Sequence, residues 1–98
     1  MIKVQVNNKN ISITGHALYN IHGKDIVCAS VSSIIYTTIN ALFKIDKSSI
    51  EYNDDGNKIE IINIKKDDLT NKLLENMIDL LKQLEIDYPK NIKIESEE

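Results

Sequence analysis

Cys28 is the only cysteine in the chain, and His16 and His22 are its only histidines. A lone thiol cannot form an internal disulfide or supply a cysteine-based zinc site. It is either a small buried apolar residue or a nucleophile. By residue type alone the buried structural role is the commoner outcome. The local sequence would suit the other. In Asp25-Ile26-Val27-Cys28-Ala29, Asp25 can cap a helix, which makes Cys28 the third helical residue. A sulfur there lies near unpaired backbone N–H groups and the positive end of the helix dipole, conditions that favour a thiolate. The same N–H groups could bind a developing oxyanion. His16, at the end of a strand, is a candidate base, and twelve residues of separation permit a Cys-His pair. His22 competes for that role by spacing, and Asp25 could orient His16 instead of capping the helix.

The elements that would hold these residues follow from hydrophobic periodicity. Ile2, Val4 and Val6 alternate with Lys3 and Gln5, the pattern of a half-buried strand. The polar turn 7–10 leads to a second strand carrying Ile11 and Ile13, and Gly15 ends it. Leu18 to Lys24 has no period and forms a loop bracketed by Gly15 and Gly23. Ile26 to Leu42 has β-branched residues but no Gly or Pro. Its length and the Asp25 cap predict a helix, apolar on most sides. Ile50-Glu51-Tyr52 and Lys58 to Ile64 flank an Asp-Gly turn and predict a hairpin. The apolar phase shifts between Ile61 and Ile62, which predicts a bulge. Leu69, Leu73, Leu74, Met77, Leu80, Leu81 and Leu84 mark a second helix, with Asp67 and Asp68 at its start and Tyr88-Pro89 closing it. Ile92 and Ile94 mark a last strand, and Glu95 to Glu98 a frayed tail. The order ββαββαβ predicts an α+β fold, one mixed or antiparallel sheet with two main helices.

Composition bounds the function. With 98 residues the chain is expected to form a single domain over 1–98. All 12 basic residues are Lys and the net charge is −3, a poor footprint for direct nucleic-acid binding. The expectation from the sequence is that no apolar run approaches the roughly 18–20 residues of a membrane span, and that the N-terminus enters a strand pattern without a secretory signal. The expectation is a cytoplasmic protein without membrane contact.

Gly15-His16-Ala17, followed by Gly23-x-Asp25-Ile26-Val27-Cys28-Ala29-x-Val31-Ser32, is similar to the signature of the ribosomal-processing cysteine protease family, Prp. The element order and length fit too, so the resemblance spans essentially the whole chain. It implies a catalytic dyad of His16 and Cys28, with Asp25 and Ser32 lining the active site. His22 matches no motif position. It implies a mobile substrate loop over Leu18 to Lys24, with Gly15, Tyr19 and Gly23 in or beside it. The implied substrate is the N-terminal extension of the large-subunit ribosomal protein numbered twenty-seven in Firmicutes and related bacteria. The cut follows an aromatic pair and precedes a small residue. Tyr19, Ile21 and Tyr36 are candidate walls for the aromatic groups. A homodimer, no cofactor and no metal are further implications. A non-catalytic ribosome-associated module is the alternative, and retention on an RNA column would favour it. A thiol redox protein is a third reading, lacking the second cysteine of a Cys-x-x-Cys motif.

Overall fold

The computed structural model describes residues 1–8, 10–15 and 26–97. The elements are β1 (Ile2–Val6), β2 (Asn10–Thr14), α1 (Ile26–Ile45), β3 (Ile50–Asp54), β4 (Lys58–Asn63), α2 (Asp68–Asp87) and β5 (Ile92–Ser96). This is the expected order ββαββαβ. The strands form one sheet in the order β3-β4-β2-β1-β5. β1 pairs with β5 in parallel, and the other three pairings are antiparallel. The two helices explain the mixture. α1 carries the chain from β2 past β4 to β3, and α2 carries it from β4 past β2 and β1 to β5. A helical return reverses direction, so each crossover joins strands that run the same way.

Register puts every buried apolar strand position on one face; Ser12, also buried, lies on the other. Val4 lies opposite Ile13, and Val6 opposite Ile11. Ile11 and Ile13 lie opposite Ile61 and Ile59. Ile2 pairs with Ile92. On this face α1 lays Val27, Val31, Ile35, Ile39 and Leu42, and α2 lays Leu74, Met77 and Leu81. Val4, Val31, Ile35, Met77, Leu81 and Ile92 are fully shielded from solvent. The opposite face carries Lys3, Gln5, Glu60 and Lys93 and, among the described residues, has no helix on it, which is why the alternation in β1 is so regular.

Four expectations need correction. No bulge occurs at Ile61 and Ile62, because the register runs unbroken through Tyr52↔Ile61 and Glu51↔Ile62. Ile62 simply faces the open side of the sheet beside Asn10. β3 runs two residues beyond Tyr52, to Asp54. Asp54 and Asp55 then form the turn with their side chains: Asp54 Oδ1 accepts from Gly56 N at 2.9 Å, and Asp55 Oδ1 accepts from Asn57 N and Lys58 N. The C-terminal segment is not frayed at Glu95. β5 continues to Ser96, and Glu97 N donates to Val6 O at 2.7 Å. Finally, α1 is 20 residues long and by length and composition is apolar enough to span a membrane. Its tolerated Ser, Thr and Tyr residues hid this in the sequence. In this fold seven of its residues are buried, six of them apolar and the seventh Thr38.

α2 has a well-formed start. Asp67 is the N-cap, and its Oδ1 accepts from Thr70 N at 2.9 Å. Lys65 Nζ joins Asp46 Oδ2 at 2.7 Å and Asp67 Oδ2 at 3.5 Å, tying the end of α1 to the start of α2. Lys65 and two Ser48 donors hold the Asp46 carboxyl well below the usual carboxylate range. At the β5 edge, Glu85 Oε2 accepts from Ile94 N at 2.9 Å, which blunts an otherwise open strand edge.

Candidate active site

Cys28 is the third residue of α1 and is buried, with 9 % of its surface exposed. It sits at the end of the helix where the first N–H groups have no helical partner. No acidic side chain occupies the first turn of α1, so none opposes negative charge on the sulfur from within that turn. Cys28 belongs to the core cluster with Val27 and Val31. The thiol thus packs against the core and at the same time lies at a helix N-terminus. Ser32 follows one turn later on the same flank and is half-buried.

Gly15 closes β2 and is exposed. Its φ is +75°, in the left-handed region that only glycine adopts freely. A side chain here would collide with the Met1 carbonyl. The start of β1 and the end of β2 are therefore locked together immediately before His16. His16, the loop residues Leu18 to Lys24 with Tyr19, Ile21, His22 and Gly23, and Asp25 all lie outside the described residues.

Sequence reading passed over one cluster beside this site. Tyr36, two turns beyond Cys28 on α1, donates to Asp54 Oδ2 at 2.8 Å, and Tyr52 donates to the same oxygen at 3.2 Å. The two rings meet edge to face, with centroids 6.2 Å apart. Burial, the neighbouring Tyr52 hydroxyl and the Asp54 carboxylate together push the Tyr36 phenol up, so it stays a donor. The sequence placed Asp54 in a turn, which hid its alignment with the two tyrosines. Its position two residues after Tyr52 was the available signal.

The family model described as Cysteine protease Prp matches residues 1–93. The chain is 34% identical over 100 residues to the ribosomal processing cysteine protease Prp of Mycoplasma pneumoniae, covering 99% of this chain and 96% of that one. It is 27% identical over 100 residues to the protein of the same name from Staphylococcus aureus, covering 95% and 94%. A crystal structure of the ribosomal processing protease Prp from S. aureus with a covalently linked product peptide superposes with a TM-score of 0.87. Its identity is 26%, covering 99% of this chain and 100% of that one. The S. aureus protease with a substrate peptide gives 0.80 at 25% identity, covering 98% and 97%.

Proposed function

The chain belongs to the cysteine protease Prp family and is a cysteine protease, and on that premise we propose that it removes the N-terminal extension of the large-subunit ribosomal protein numbered twenty-seven, with Cys28 as nucleophile and His16 as base. One observation carries the nucleophile. A cysteine protease needs a thiol, and Cys28 is the only one in the chain. It also stands at a helix N-terminus, where a thiolate is favoured. The relative from S. aureus crystallised with a covalently linked product peptide, as a nucleophilic thiol would allow.

The chemistry runs in two halves. His16 accepts the Cys28 proton, and the thiolate attacks the scissile carbonyl carbon. The carbonyl oxygen takes the negative charge beside the first-turn N–H groups of α1. The C–N bond then breaks, His16 protonates the leaving amine, and the acyl group stays on Sγ as a thioester. Water, deprotonated by His16, attacks the thioester and releases the carboxylate product and the thiol. Asp25 and Ser32 support the site, and the 18–24 loop with Tyr19 and Gly23, entered through Gly15, holds the peptide.

The working form is a cytoplasmic homodimer. Ile26 and Ile45 of α1, with Leu69 and Leu80 of α2, are about half or more exposed on the helical layer. A second copy would cover them, and a stable interface needs about 800 Å² per partner. A monomer by light scattering at micromolar concentration would refute this part.

The decisive experiment is incubation with a peptide spanning the extension junction, read by mass spectrometry. The wild type cuts once, after the aromatic pair. Cys28→Ala and His16→Ala do not cut, and His22→Ala does. Cleavage by Cys28→Ala would overturn the mechanism, and an active His16→Ala beside an inactive His22→Ala would reassign the base.

A further inference from the structure

Cys28, Ser32 and Tyr36 stand at successive four-residue steps on α1. Each step advances about 6 Å and drifts about 40° around the helix. The three therefore climb one flank of α1, from the helix N-terminus to the edge strand β3. At its upper end Tyr36 and Tyr52 converge on Asp54. All three acid contacts of Asp54 are with neutral donors: the two phenols on Oδ2 and the Gly56 N–H on Oδ1. Among the described residues no lysine forms an ion pair with it, and Lys58, the one cation of the β3–β4 hairpin, lies 3.9 Å from Glu60 instead. The cluster is thus a carboxylate exposed to solvent, without a counter-charge among the described residues, and held by the hydroxyls of two half-buried tyrosines. An exposed carboxylate held by neutral donors is the chemistry that receives an ammonium or guanidinium group.

Resting on Cys28 as nucleophile, we propose that Tyr36, Tyr52 and Asp54 form a specificity subsite for a basic side chain of the substrate. The reach fixes where that side chain lies. Eight residues of helix separate Cys28 from Tyr36, about 12 Å. An extended peptide advances about 3.3–3.6 Å per residue, so the basic residue sits three or four positions from the scissile bond. The two hydroxyls hold the carboxylate in place before the peptide arrives, so little ordering is left to the moment of binding. The same hydrogen bonds also tie α1 to β3. A purely structural tie would confer no preference among peptides, and that separates the two roles.

The test uses peptides spanning one junction sequence with either lysine or norleucine at a single position, three or four residues to each side of the bond. The reading is the lysine-to-norleucine ratio of kcat/KM within one enzyme preparation, which is insensitive to the fraction of active protein. Wild type should favour lysine about fivefold or more at one of these positions. The preference should shrink as salt rises. In Asp54→Asn the ratio should fall to about one. A wild-type ratio near one at all four positions overturns the subsite, as does a preference that salt leaves unchanged. So does a preference that survives in folded Asp54→Asn. If Asp54→Asn does not fold, the salt series on the wild type decides alone. Failure of the wild type to cut any of the peptides would instead fall on the reading of Cys28, and the subsite would go with it.

Discussion

Replacing Gly15 with alanine tests how the sheet delivers the candidate base. Gly15 has φ +75°. An alanine held there costs about 1–2 kcal/mol in backbone conformation alone. Its Cβ would also press into the Met1 carbonyl, closer than real Cβ contacts come. Neither side can yield cheaply. Ile2 N is tied to Asn91 O at 2.8 Å, and the Ile2 side chain is buried in the core. Lys3 and Thr14 are paired partners one step inward. Overpacking of this kind adds about 1–3 kcal/mol, so the total is about 2–5 kcal/mol. For a domain of this size that lowers Tm by about 10–25 °C. Gly15→Asn separates the two terms, because Asn tolerates the left-handed region better but meets the same carbonyl. It should melt above Gly15→Ala and still well below wild type. Thermal denaturation followed by circular dichroism gives these values. Peptide cleavage at 25 °C should also drop about tenfold or more, since a small displacement of the strand end moves His16 off its position. An alanine variant that melts within about 3 °C of wild type, with unchanged cleavage, would refute the reasoning.

Three further outcomes are expected. Met77→Ala removes a side chain with no solvent exposure from between α2 and the sheet, so urea unfolding should show a loss of about 2–5 kcal/mol at unchanged m, and a loss below about 1 kcal/mol would mean that the site collapses around the gap. Asp46→Asn should lower Tm near neutral pH. The folded Asp46 carboxyl is held below its ordinary range, foremost by Lys65, so its contribution is full above the unfolded value near about 4 and is lost as pH falls through the folded value. The gap between variant and wild type should therefore close on acidification, and a gap that widens would contradict the assignment. Asp25 separates capping from charge: if it caps α1, Asp25→Asn keeps most activity while Asp25→Ala loses about 1 kcal/mol and rate, whereas equal rate losses at unchanged Tm would show that it orients His16.

Sequence alone determined the seven elements and their order, because each carries a strong local signal. Period-two isoleucines and valines mark β1 and β2, the Asp54-Asp55-Gly56 turn marks the β3–β4 hairpin, and the leucine spacing marks α2. Sequence also singled out Cys28, since it is the only thiol and follows Asp25, a residue type suited to capping a helix. Tertiary structure decided what depends on partners distant in the chain. The parallel pairing of β1 with β5 joins residues about 90 positions apart, and no local pattern encodes it. The straight register at Ile61 and Ile62 came from two neighbouring strands that both hold β4 in phase, so the apparent phase shift became an isoleucine on the open face. The same holds for Gly15, whose need for glycine is created by the Met1 carbonyl of the adjoining strand. Tyr36 and Asp54 are 18 residues apart, and only the packing of α1 against the edge strand brings their side chains together. Local periodicity reports which face of an element is apolar. It is silent on which polar groups from two elements will share one hydrogen bond, because that follows from how the layers close on the core.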